Sequence, residues 1–160
     1  MKTAIVYATT HGCTETCAQK LATRLSGDTD RFNLKEKPQI SLANYDRVLI
    51  GGSIHAGRIQ GSVRRFVSGN LPVLMQKRIG LFICCMEKGE KAKQQFDQVF
   101  PAELRSHASA KDLFGGGFDF ERMNFLQRAL IKKIAKVDQS VNNIDEQAIN
   151  RFAENMAKKS

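Results

Sequence analysis

The sequence predicts an α/β domain built on a doubly wound parallel sheet with helices on both faces. Three observations carry this. Short apolar runs alternate along the chain with segments whose apolar residues recur at helical spacing. Two runs, DRVLIGGS from Asp46 and RIGLFICC from Arg78, are apolar almost throughout, as strands covered on both faces are. The length of 160 residues suits one domain over residues 1–160, with a core that needs no covalent staples.

The elements follow in order. Lys2 to Ala8 is the first strand, centred on Ile5, Val6 and Tyr7. Thr14 to Leu25 reads as a helix, with Cys17, Leu21, Ala22 and Leu25 on one face. Arg31 to Leu34 is a weak second strand, and Arg47 to Gly51 a strong third one ended by glycines. Val63 to Val67 sits in the next helix. Arg78 to Cys85 is the fourth strand, and Lys91 to Phe100 a helix stopped by Pro101. The fifth strand falls near Lys111 to Gly115. Two helices remain. Glu121 to Val137 has Met123, Leu126, Leu130, Ile134 and Val137 on one stripe. Asp145 to Lys158 has Ala148, Ile149, Phe152 and Met156 on another, with Asp145 and Glu146 favouring its N-terminus. The last helix closes a five-stranded sheet, so the one before it is extra.

Composition narrows the function classes. The chain is 42% hydrophobic and 26% charged, ordinary for a soluble globular protein. Its longest apolar run, Ile79 to Met86, is too short to span a bilayer. The opening run Ala4 to Ala8 lacks the longer apolar region of a signal peptide, which predicts a cytoplasmic protein. The four cysteines, Cys13, Cys17, Cys84 and Cys85, complete neither a disulfide framework nor a zinc pattern, so reduced thiols and no metal are expected. The net charge of +9 implies an anionic partner: nucleic acid, a membrane surface or an acidic substrate. Nucleic acid is disfavoured, because no aromatic and basic platform or recognition motif is present.

The most informative segment is Tyr7-Ala-Thr-Thr-His-Gly-Cys-Thr-Glu15, which follows a buried strand and opens a helix. Small hydroxyl residues and a glycine there free backbone N–H groups to wrap a phosphate, and the helix N-terminus adds partial positive charge. Thr9, Thr10 and Thr14 can donate from their side chains, and Gly12 permits a tight turn. The same residues would also make an ordinary capped helix start. Position favours the phosphate site, since doubly wound sheets of order 2-1-3-4-5 bind ligands beyond strands 1 and 3.

The segment Thr9-Thr-His-Gly-Cys-Thr14 resembles the FMN-phosphate loop of flavodoxins, a [ST]-T-x-G-x-T pattern followed by Glu. The resemblance runs through the whole chain in element order. It implies a flavodoxin-like fold with FMN as cofactor. Thr9, Thr10, His11, Gly12, Cys13 and Thr14 would hold the phosphate, with His11 and Cys13 acting mainly through backbone N–H groups; the His11 ring adds charge beside the phosphate or, the favoured reading, faces solvent. In flavodoxins the loops after the third and fourth strands grip the flavin ring. Here the first loop offers Ser53, Ile54, His55, Ala56, Gly57 and Arg58, and the second Cys84, Cys85 and Met86. His55 is the candidate proton donor or acceptor, because imidazole titrates near neutral pH. No Trp or Tyr walls the ring, which leaves a face for a substrate. Between Arg58 and Arg78 stand Arg58, Arg64, Arg65, Lys77 and Arg78 and no acid. Cations there would stabilise reduced, anionic flavin and raise its potential.

Two readings stay open for each remaining feature. Buried cysteines act as small apolar side chains, the favoured reading, or relay electrons as thiols. The extra helix, basic through Arg122, Arg128, Lys132, Lys133 and Lys136, packs its stripe on the core, the favoured reading, or lies on an anionic membrane. Gly115-Gly-Gly-Phe-Asp-Phe120 reads as a flexible turn whose aromatics line a substrate cleft. The opening MKT, YDRVxIGxSI at Tyr45 to Ile54, Gly57 and FLQRALIKKIAK are together similar to the menaquinone-dependent protoporphyrinogen oxidases. That resemblance implies an FMN oxidoreductase of heme biosynthesis acting on an anionic small molecule and a quinone, with peripheral contact at the inner membrane face through Glu121 to Val137. A flavodoxin-type electron carrier docking on a redox partner protein is the alternative.

Overall fold

The computed structural model describes residues 1–118, 120–136 and 140–158, with the side chains of 118, 122, 134 and 135 left aside. Six strands form the main sheet: β1 (Lys2–Tyr7), β2 (Asp28–Asn33), β3 (Arg47–His55), β4 (Arg58–Ile59), β5 (Arg78–Cys84) and β6 (Ala110–Leu113). The parallel strands run in the order β2-β1-β3-β5-β6, which is the predicted 2-1-3-4-5 with β4 as an added hairpin arm on β3. The helices are α1 (Cys13–Ala22), α2 (Gly61–Leu74), α3 (Gly89–Val99), α4 (Ala102–His107), α5 (Phe125–Ala135) and α6 (Glu146–Ala157). A separate antiparallel pair, β7 (Gly115–Phe118) and β8 (Val141–Ile144), stands beside the sheet.

The period-two alternation of the central strands builds two apolar layers. On one face Ile5, Tyr7, Leu49, Phe82 and Cys84 pack against Cys17 and Leu21 of α1 and Ile149, Phe152 and Met156 of α6. On the other, Val6, Val48, Ile50, Leu81 and Ile83 meet Val63 and Phe66 of α2, Phe96 of α3 and Leu104 of α4. Each fully buried side chain of this size contributes roughly 1.5–3 kcal/mol. Charged β2 is legible only weakly because it is an edge strand, where polar side chains face water.

Several boundaries differ from expectation. The third strand does not end at its glycines but runs on to His55, paired with β5 as far as Ser53 and with β4 beyond it; Gly51 itself leaves room for the Phe82 ring, which a β-carbon there would meet at 2.1 Å. The predicted fifth strand is β6, which ends at Leu113; Gly115 at φ 74 then turns the chain into the additional strand β7. The segment from Gly115 is therefore a paired strand rather than a flexible turn. Of its two aromatics, Phe120 is buried beneath Lys132, while the Phe118 side chain and Asp119 lie outside the described residues.

The extra helix is shorter than Glu121 to Val137. A 3₁₀ turn at Phe120–Arg122 is followed by a fresh start at Asn124, whose side chain accepts from Gln127 N at 2.8 Å while Gln127 Oε1 accepts from Asn124 N at 3.2 Å. This capping box sets the first turn of α5; Val137 lies outside the described residues. The core-facing reading of its stripe is corrected too. Met123 is buried, but Phe125, Leu126 and Leu130 are 83, 76 and 57% exposed. Among the described residues no helix is long and apolar enough to cross a membrane.

Candidate functional site

The carboxyl ends of β1, β3 and β5 converge, and the loop from Thr9 to Thr14 lies over them. Gly12 takes φ 85 as the N-cap of α1, a conformation that costs a residue with a β-carbon roughly 1–2 kcal/mol. Its N–H donates to Thr9 Oγ1 at 2.9 Å, and its carbonyl accepts from Thr16. The cap uses no side chain of its own. Thr14 is fully buried, and its hydroxyl has no hydrogen-bond partner among the described residues. A buried unmet hydroxyl beside a helix N-terminus is what a bound phosphate would satisfy. These residues fit the phosphate of FMN.

The second loop is a two-residue turn. Ala56 and Gly57, at φ 49 and 73, join His55 to Arg58 across a β-hairpin, as such turns require. Ser53 and Ile54 therefore belong to β3, and Ser53 stands in register with Cys84 of β5. His55 Nε2 lies 3.0 Å from Ser53 Oγ. The His11 and His55 rings meet edge to face, with centroids 5.5 Å apart. His11 is buried, so the solvent-facing expectation is corrected.

Two cavities adjoin here. One of about 360 Å³ lies between the start of α1 and the β7–β8 pair, lined by His11, Gly12, Cys13, Thr16, Gly117, Asn142 and others. A smaller one of about 60 Å³ is lined by Cys13, Ser53, Ile54, His55, Cys84, Cys85, Met86, Gly116 and Gly117. Cys13 and Gly117 border both. The structure thus brings His11, Gly12, Cys13, Ser53, Ile54, His55, Cys84, Cys85 and Met86 together. Arg58 is exposed on the hairpin, and Arg64 and Arg65 are exposed near the start of α2. Lys77 and Arg78 do not join them. They stand at the opposite end of the sheet, where Arg78 donates to the Asn155 and Lys158 carbonyls.

Sequence reasoning missed Gln60. Its Oε1 accepts from Ser53 N at 3.0 Å, and its Nε2 donates to Ser53 Oγ and, at 3.4 Å, to Thr10 Oγ1. It ties the phosphate loop to the hairpin, and no motif marks it. Replacing Gln60 by Leu is expected to strand the Ser53 N–H and cost about 1–3 kcal/mol, measured by urea denaturation. Lys35 was also missed; its cation acts on both histidines.

Burial first, then the Lys35 charge, lowers the His11 pKa below its usual 6.5. For His55 the order is burial, the neighbouring His11, then Lys35. Both shifts favour the neutral imidazoles near pH 7. The unfolded chain takes up protons more readily, so this stability is full above pH 6.5 and falls as pH drops through the lowered values. Denaturation midpoints on either side of pH 6.5 check this, and His11→Gln should flatten the dependence.

The cysteines depart most from expectation. Cys84, 67 positions beyond Cys17, brings its thiol within 3.5 Å of it. The Sγ atoms of Cys13, Cys17 and Cys84 all lie within 4.8 Å of one another. The Cys17 and Cys84 thiols and the Gly117 N–H stabilise the Cys13 thiolate and bring its pKa down to about 4, while those two thiols are pushed up. Cys85 points to the other face of the sheet, its thiol 3.6 Å from the Glu87 carbonyl.

A flavodoxin domain family model matches residues 4–145. The chain is 25% identical over 172 residues to the protoporphyrinogen IX dehydrogenase [quinone] of Leishmania major, covering 98% of this chain and 74% of that protein. Oxidised flavodoxin 1 of Bacillus cereus superposes with a TM-score of 0.60 at 16% identity, over 98% of this chain and 97% of that one. Flavodoxin 2 of the same organism gives 0.60 at 16% identity, over 98% of both chains. The strand order, the loop beyond β1 and the family match over most of the length agree: this chain belongs to the flavodoxin domain family.

Proposed function

We propose that this chain is an FMN oxidoreductase of the quinone-linked, protoporphyrinogen-oxidising type. The observation that carries this reading is the lining of the two adjoining cavities. Among the described residues, their only rings are the imidazoles of His11 and His55. Among the described residues no large aromatic side chain closes over a flavin there, and the two cavities meet at Cys13 and Gly117. The name of the Leishmania relative supports the same chemistry.

Bound at this site, FMN supplies the two-electron transfer. The chain's own residues do the rest. Thr9, Thr10 and Thr14 hold the phosphate with the backbone N–H groups of His11 and Cys13. Gln60 fixes the hairpin relative to that loop. Ile54, Cys85 and Met86 pack beside the ring. His55, held at Nε2 by Ser53, is the group that takes or returns a proton. Arg58, Arg64 and Arg65 draw substrate carboxylates. With Lys35 they keep the flavin's surroundings cationic, so potentiometry is expected to place the hydroquinone couple above that of acidic flavodoxins.

The quinone suggests where the protein works. α5 exposes Phe125, Leu126 and Leu130 and carries Arg128, Lys132 and Lys133 with no acidic residue. That pairing suits an anionic lipid surface. Sedimentation with phosphatidylglycerol vesicles, released by salt and abolished by Leu126→Glu with Leu130→Glu, is the expected result. The function itself is tested by anaerobic turnover of protoporphyrinogen by FMN-loaded protein with a menaquinone analogue. Porphyrin formation coupled to quinone reduction supports the enzyme. A flavin that stays oxidised with this substrate, yet exchanges electrons with redox proteins, supports an electron carrier instead.

A further inference from the structure

We propose that Cys13, Cys17 and Cys84 form a three-thiolate site for a soft, closed-shell metal ion of the monovalent copper class. The three sulfurs lie within 4.8 Å of one another, and the Cys17–Cys84 pair is 3.5 Å apart. A metal–sulfur bond of about 2.3 Å puts the corners of a trigonal site about 4 Å apart, so small side-chain adjustments close the ring.

Two separate elements supply the ligands. Cys13 and Cys17 are one turn apart on α1, and Cys84 ends β5. The cluster holds sulfur only, with no imidazole or carboxylate in the group. Thiolates alone select soft ions over magnesium, calcium or manganese. Structural zinc takes four protein ligands, whereas three sulfurs suit an ion content with three.

The surroundings suit it as well. Cys17 and Cys84 are 0 and 2% exposed, so a bound ion would be shielded from water. Cys13 is half-buried and borders both cavities, which gives the ion an access route. As the first residue of α1 it sits at the positive end of the helix dipole, which offsets part of the thiolate charge.

The test uses the full chain, reduced and handled without oxygen, with the coloured copper(I) complex of bicinchoninate as probe. The expected result is removal of one copper(I) ion per chain from the probe. Cys13→Ser and Cys84→Ser should each weaken binding by more than the ~10–100-fold that outer-shell changes cost. Cys85→Ser, on the opposite face of the sheet, should retain the ion. X-ray absorption should give copper–sulfur distances near 2.3 Å. Circular dichroism checks that each variant is folded, and Cys13→Ser, at the cavity edge, stands in if the buried variant fails. Failure to take copper from the probe overturns the site. So does equal loss in Cys85→Ser, or binding that folded Cys13→Ser leaves unchanged.

Discussion

Thr14→Val is expected to weaken FMN binding about 10- to 150-fold and to leave the unliganded protein at least as stable as before. The hydroxyl is buried and unmet. A hydrogen bond to a charged phosphate contributes about 1.5–3 kcal/mol, which converts to that range of affinity. In the free protein the hydroxyl is a buried group without a partner among the described residues, so an isosteric methyl removes a cost of roughly 1 kcal/mol. Affinity and stability should therefore move in opposite directions. Flavin fluorescence titration and urea denaturation of the same variant measure both. A variant that lost stability and kept its affinity would mean that Thr14 caps the helix and does not meet a ligand.

Gly51→Ala is expected to destabilise the fold by about 1–3 kcal/mol, at the upper end of what overpacking costs. The added carbon would lie 2.1 Å from the Phe82 ring, which is itself fixed between Phe114, stacked at 4.7 Å, and Phe152, edge-on at 6.0 Å. The ring has nowhere to retreat. Phe82→Leu alone leaves a cavity and also destabilises, but the pair should recover part of the loss, a coupling that a double-mutant cycle reads directly. The effect reaches the site, because the β3–β5 register sets Ser53 against Cys84. FMN affinity should fall in Gly51→Ala and recover in the double variant.

What was legible in the sequence follows from where its signals come from. β1, β3 and β5 are buried on both faces and read as apolar runs. α6 declares itself by Ala148, Ile149, Phe152 and Met156 on one face, with Asp145 accepting from the Ala148 N–H at its start. The phosphate loop could be read because phosphate binding needs small residues at fixed spacing. The hairpin at Ala56 and Gly57 reads in the sequence as a loop after the third strand. Its signal was the Gly after a strand-forming run, and glycine serves loops and turns alike. The β7–β8 pair was hidden because one partner is nearly all glycine and the other is polar, so neither shows alternation. The cysteine cluster was invisible for a topological reason: Cys84 meets Cys17 only through the sheet. Gln60 and the burial of His11 are of the same kind, set by packing between distant segments. The exposure of the α5 stripe is not legible in the sequence, because an apolar periodicity does not say what covers it.

The most direct test of the central claim, that the loop from Thr9 to Thr14 is a phosphate cradle for FMN, is a comparison of FMN with riboflavin. The two share the ring and differ in the phosphate. Titration of the flavin-free chain, followed by quenching of flavin fluorescence, should give one FMN per chain and far weaker riboflavin binding, with the difference lost in Thr14→Val. Equal affinity for the two flavins would show that the loop contributes no phosphate recognition, and would contradict the account.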